Sequence, residues 1–431
     1  MVRILGDIRV PQGATISLDA VEGNLYVEEG ATIEAKEGLQ KITVSGIIQC
    51  YGDCIFNCSV SSAQLRGKDC EVTVKGDLLI EGAVKIEKGS LFVEGSMKAK
   101  NVDIDRELRV RGDLDAENVD VGGRLNVGGS VNAKAIDVGG AVEVAGSTVG
   151  ALLDVGGSFY GEGIVKVDKI DVGGSFRAKS EVFAEDLDVG GIAEIAGGEI
   201  RDKIDVGGAF RSSKQLVFRI IDVGGSVKLA GLSKGEKIDV GGTLEVDGDL
   251  IFSEIDVGGS VVIYGNAEGI KIDVGGKLKV EGHLKLSGDL DVGGVVDVGG
   301  TLWAKSIDVG GRLKAQRIEA INSVDVGGEI TTTDGLKAGR VRIGKRGKIR
   351  GPVVAEEVHI DERADVEDIY ASIVIMEERA SARNIYARKV YLEKYCKVMG
   401  ELQYTEELTS EEKVYLAKEP KKVDSLPNPP A

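Results

Sequence analysis

Four of the five cysteines, Cys50, Cys54, Cys58 and Cys70, fall within 21 residues. Thiols this close raise zinc or iron–sulfur binding, because cysteine thiolate is a preferred ligand of both. The spacing is C-x3-C-x3-C, without the paired C-x2-C of a zinc ribbon. Alternation puts Ile48, Cys50, Cys54, Phe56, Cys58 and Val60 on one side of the chain, so the thiols are expected to face an interior. There they would be apolar filler or an inter-rung disulfide, with Cys54 and Cys70 stacked about one repeat apart. Metal ligation by the four is the lesser alternative, and no cofactor is expected.

Carboxylates form a second chemical grouping. Asp-Val-Gly-Gly occurs thirteen times from Asp120 to Asp325, each step being 17 residues except Asp273 to Asp291, which is 18. An extra copy at Asp297–Gly300 lies off this register. Outward carboxylates stacked about 5 Å apart are able to take divalent cations. The local reading is an Asx-type turn, in which each Asp accepts a backbone N–H at the Gly-Gly corner. The calcium-binding nonapeptide is not present. Two residues before the Asp, Lys169, Lys203, Lys237 and Lys271 alternate with Asp186, Ile220 and Glu254, a pattern of cross-rung charge pairing.

Basic residues gather once. Arg340, Arg342, Lys345, Arg346, Lys348 and Arg350 fall within eleven residues with no acid among them, and Arg342 takes the Asp position of the repeat. Such a collar suits an acidic protein partner or a membrane surface. Alternatively it simply borders the acidic stretch at 355–368. The two histidines, His283 and His359, are far apart in sequence, and no nucleophile–base grouping accompanies them. Gly-x-Gly matches arise from the repeat, with no following helix to make a phosphate loop. A left-handed acyltransferase helix needs a hexapeptide rhythm, which a period of 17 does not carry. No enzyme is expected.

These residues are positioned by a repeat. The residue before each Asp is aliphatic and the one after is Val, so the aliphatics point in and the Asp points out. Gly-Gly then supplies the positive φ of a sharp corner. A second side reads x-apolar-x-apolar, as in Ser175–Ala178, and a third is looser. Seventeen residues are too few for a helical hairpin and suit one turn of a solenoid. The expected fold is all-β: a single long right-handed three-sided parallel β-helix of about 17 residues per coil and roughly 24 coils. The hand follows the crossover preference. The chain divides into a continuous β-helix over 1–408 and a polar, Pro-rich mobile tail over 409–431. Within the helix, 1–101 are irregular coils, 102–340 the Asp-Val-Gly-Gly coils and 341–408 a closing series.

Composition agrees. Gly is abundant at 62 residues and aromatics are only 4%. A formal net charge of −17 argues against general nucleic-acid binding. No apolar run reaches the length of a membrane span, and a cytoplasmic location is the default expectation.

The stretches Gly6–Ile16, Gly23–Ile33 and Gly344–Glu407 carry a family resemblance. Ile343-Gly344-x-x-Gly347-x-Ile349-x-Gly351, then Val354-Ala355-x-x-Val358-x-Ile360, resembles the Gly-x-Ile/Val rungs and Ala corners of the bactofilins. That resemblance implies a right-handed triangular β-helix that joins through its ends into filaments without nucleotide. The length of the chain and the Asp-Val-Gly-Gly array depart from the family pattern. The physics of an open β-helix end, with its unpaired N–H and C=O groups, also favours addition of another subunit. The expected function is a self-assembling structural filament or scaffold, with a β-helical rod that presents a binding face as the alternative. The C-terminal joining rung is expected within Glu393–Leu408, and Ile8→Pro is expected to block growth at the first rung.

Overall fold

The structure, a computed structural model, describes residues 3–429. It is all-β, a parallel β-solenoid of about 24 turns with ~17 residues per coil. Every element among the described residues is a strand. The chain forms two compact units, Met1–Phe218 and Arg219–Ala431.

In the first unit a typical coil consists of Leu114–Val121 and Arg124–Val127, followed one turn later by Val131–Val138 and Ala141–Val144. The longer strand forms two sides of the coil. Its two halves, Leu114–Ala116 and Asn118–Val121, each pair with the next turn, and residue 117 makes the bend between them. The third side is Arg124–Val127. Pairing is in register at the repeat, so Asp103, Asp120, Asp137, Asp154, Asp171, Asp188 and Asp205 stack. The flanking Val119, Ile136, Leu153, Ile170, Leu187 and Ile204 are at most 1% exposed. Each such side chain contributes about 1.5–3 kcal/mol when fully buried. Phe159 and Phe176 stack inside with ring centroids 5.0 Å apart.

The second unit follows the same plan. Its column runs Asp222, Asp239, Asp256, Asp273, Asp291, Asp308 and Asp325, and continues as Arg342 and His359. The 18-residue step is absorbed at Ser287–Gly288, since Gly269 still pairs with Leu286 while Ile272 pairs with Leu290. Asp297 lies on a different side, stacked between Lys279 and Lys314.

The Gly-Gly corners overturn one expectation. The pairs Gly139–Gly140, Gly156–Gly157 and Gly173–Gly174 do not have positive φ. A Cβ on Gly174 would lie 2.5 Å from the carbonyl oxygen of Gly157 one coil below, and a Cβ on Gly156 2.5 Å from that of Gly139. Glycine is required because successive corners stack backbone on backbone. After Ile343 the corner changes. Four-residue turns replace Gly-Gly, and Arg346, Arg363, Arg379, Tyr395 and Lys413 take φ between 61° and 64°.

The ladder also passes Leu408, where the sequence suggested a tail. Tyr415–Leu416 pairs with Lys397–Val398, and Lys421–Lys422 with Gln403–Tyr404. Tyr415 and Lys421 are exposed, so backbone bonds hold these last strands: Tyr415 N–H donates to Cys396 at 2.9 Å and Val423 N–H to Tyr404 at 2.9 Å. Of these strands only the first shows in the sequence, as the short strand-like stretch Lys413-Val414-Tyr415-Leu416.

Candidate functional site

Three features were singled out by residue type, and the structure places each. The thiols occupy the lumen of the first unit: Cys50, Cys54, Cys58 and Cys70 are all free and at most 5% exposed. Cys54 S–H donates to Cys50 Sγ at 2.9 Å across the corner at Tyr51–Asp53. The expected stacking of Cys54 on Cys70 does not occur. Cys54 pairs with Ala31 and Val72, because the coil carrying Cys70 extends two residues beyond the stacked position. Cys70 instead turns toward Cys50 over Gly67, the one residue at that rung without a side chain; a Cβ there would collide with Cys70 Sγ. The hydrogen bond from Cys54 and then burial push the Cys50 thiol well up. Burial pushes Cys58 up to about 11 and Cys70 up to about 12. Thiols so held are weak nucleophiles.

The Asp column stands outward. Among the described residues, Asp137, Asp154, Asp171 and Asp188 are exposed and their carboxylates have no hydrogen bond or ion pair. The Asx-turn expectation is therefore not met, because an outward carboxylate in an extended strand cannot reach the corner N–H groups. Partial burial first, and the carboxylates above and below second, raise Asp120, Asp188 and Asp308. The alternating charges stack as expected, Lys169 on Asp186 and Asp186 on Lys203. Close contacts run along the strand, however: Lys203 reaches Asp205 at 2.7 Å and Lys237 reaches Asp239 at 3.9 Å.

The corner bonds come from a column that sequence reading missed. In the first unit Asp77 N–H donates to Ser59 Oγ (3.0 Å), Ser96 N–H to Asp77 Oδ1 (2.8 Å) and Asp113 N–H to Ser96 Oγ (3.1 Å). Ser130 N–H donates to Asp113 Oδ1 (2.7 Å) and Ser147 N–H to Ser130 Oγ (3.1 Å). Each acceptor serves the coil that follows it. The second unit repeats this at Asp249, Asn266 and His283, whose Nδ1 accepts from Thr301 N–H at 3.0 Å. The signal in the sequence is a polar residue after glycine at the repeat spacing, from Asp77 onward.

The basic collar is largely neutralised by its neighbours. Arg342 makes two bonds to Asp361, at 3.1 and 3.0 Å, which raise its own pKa. Arg340 lies 3.8 Å from Asp325 and Arg350 3.2 Å from Glu329. Lys345 pairs with Glu362 and holds its carboxyl below the usual range. Arg346 forms a corner, its N–H donating to Glu362. Among the described residues Arg346 and Lys348 have no ion pair. Exposed pairs of this kind are worth about 0–1 kcal/mol each, so the collar has the character of a seam between coils.

Comparison with known proteins returned no match: no family model, no curated protein and no solved structure matches the chain. No helix among the described residues is long and apolar enough to cross a membrane. The bactofilin resemblance thus rests on residues 6–33 and 344–407 alone.

Proposed function

We propose that this is a non-enzymatic structural protein whose copies join end to end, rung on rung, into a cytoplasmic filament or scaffold without nucleotide. One observation carries the reading. The three strands of the first coil, Arg3–Leu5, Ile8–Val10 and Thr15–Leu18, each pair on one edge only among the described residues. A second copy offering a parallel edge at the same rise would extend a ladder that every internal coil already makes. At the other end the strand segments that pair on one edge only among the described residues are 407–410, Tyr415–Leu416 and Lys421–Lys422, the first of them beginning inside the Glu393–Leu408 coil expected to join. The resemblance to bactofilins points the same way.

Electron microscopy and sedimentation of the purified chain test this, with filaments or end-joined rods expected. Ile8→Pro is the wrong probe, because Ile8 N–H donates inward to Asn24 at 2.8 Å. Alternate residues of a strand bond to opposite neighbours, so Arg9 presents its N–H to the open side. Arg9→Pro is expected to shorten assemblies without unfolding the coil. Monomers at every salt and protein concentration would sink the proposal. The outward carboxylates of Asp137, Asp154, Asp171 and Asp188, exposed on one face, support the second reading, a rod that presents a binding face.

A further inference from the structure

The turn that replaces Gly-Gly after residue 343 brings an imidazole and two carboxylates together. His359 stands at the Asp position of its coil, next to the last residue of Val353–Ile360. Asp361 opens the turn that follows. Ile360 pairs with Met376, so Glu377, which opens the next turn, lies one rung above Asp361. His359 Nε2 is 2.9 Å from Glu377 Oε1 and 3.8 Å from Asp361 Oδ1. The three ligand atoms all lie within 4.8 Å of one another, and no other set of three His, Cys, Asp or Glu does so among the described residues. That selectivity separates this trio from the Asp column, whose carboxylates repeat at rung spacing without converging.

We propose that His359, Asp361 and Glu377 form a binding site for a divalent transition-metal ion of the zinc class, clamping two successive coils and leaving a fourth position to water. Ligands about 2.0–2.1 Å from a tetrahedral zinc lie about 3.3 Å apart, a value that the 2.9 and 3.8 Å separations bracket. Imidazole with carboxylate selects zinc-like ions over calcium or magnesium. Groups outside the trio aim both carboxylates. Arg342 grips Asp361, and Glu362 N–H donates to Glu377 Oε2 at 3.2 Å, leaving Oε1 toward the imidazole. Hydrogen bonds of this kind to ligating carboxylates are the usual outer support of a metal site. The side chains of His359, Asp361 and Glu377 are 29%, 14% and 35% exposed, so an ion has a path in without a deep cavity.

The test is titration of the full chain with zinc ion alone, by calorimetry, and with cobalt ion, by absorption. One equivalent of zinc is expected, with affinity at least tenfold weaker in His359→Ala and in Glu377→Gln. Zinc should raise the melting temperature of the unmodified chain and of neither variant, while all three melt alike without metal. Bound cobalt should show visible d–d bands and no near-ultraviolet sulfur-to-metal band, which separates this site from the thiols. Unchanged stoichiometric zinc binding in both variants, a sulfur-to-metal band, or no stoichiometric binding in the unmodified chain would each overturn the proposal.

Discussion

Placing a single methyl group at a stacked corner tests why the repeat carries Gly-Gly. In Gly174→Ala the new Cβ would begin 2.5 Å from Gly157 O, whereas ordinary contact starts near 3.4 Å. The shortfall is about 0.9 Å, and the obstacle is backbone, which has no rotamer to change. That same carbonyl oxygen accepts the Gly174 N–H at 2.9 Å. Separating the coils enough to admit the methyl stretches this bond to about 3.8 Å, beyond hydrogen-bonding range. Losing the bond costs about 1 kcal/mol and the backbone displacement about 1–3 kcal/mol, for a total of about 2–4 kcal/mol. On a unit of this size that corresponds to a fall in melting temperature of about 4–16 °C. The assay is thermal unfolding followed by far-ultraviolet circular dichroism, with limited proteolysis to locate the opened coil. Asp171→Ala, an outward change on the same coil, is the control and is expected to lose no stability. If Gly174→Ala melts with the unmodified protein and cleaves no faster, the stacked-carbonyl account is wrong.

Three further outcomes follow from the geometry. Asp188→Asn should stabilise the protein at neutral pH. The folded carboxyl binds its proton more tightly than the unfolded one, so its penalty is present above the folded pKa and disappears as pH falls through it; a melting temperature at pH 7 unchanged or lowered in Asp188→Asn contradicts this. Ile204→Lys or Val138→Asp puts an unpaired charge into a lumen where both positions are 0% exposed, at a cost of several kcal/mol; protease resistance equal to the parent in both variants would place these residues elsewhere. The thiols of the native protein should react with a disulfide reagent only on unfolding; prompt reaction of Cys50 or Cys54, or stoichiometric metal lost on Cys→Ser change, would count against a closed lumen.

Much of this fold was legible because each position repeats. Aliphatic-Asp-Val alternation fixed which side chains enter the lumen, and the constant step fixed what stacks on what. Legibility failed where backbone meets backbone. The Gly-Gly signature looks the same in sequence whether it serves positive φ or close approach, and only the neighbouring carbonyl distinguishes them. The strands at Tyr415 and Lys421 bury little, so beyond the short apolar run Val414-Tyr415-Leu416 they leave no pattern. The register of Cys70 was lost to a two-residue difference in coil length. His359, Asp361 and Glu377 were individually visible, and Asp361 and Glu377 are one 16-residue unit apart. Their convergence depends on the four-residue turn, whose shape composition does not announce.

The corner column of Ser59, Asp77, Ser96, Asp113 and Ser130 bears on how the chain is made. Every acceptor in it precedes its donor in sequence, by 17 to 19 residues. During synthesis the acceptor of each coil is therefore already exposed when the coil that needs it leaves the ribosome. Growth from the N-terminal end becomes templated winding, in which each nascent turn docks on a finished surface and presents the next one. A chain begun from its other end would present donors with nothing yet to receive them. The direction of translation and the polarity of this seam coincide, so folding can keep pace with elongation one turn at a time.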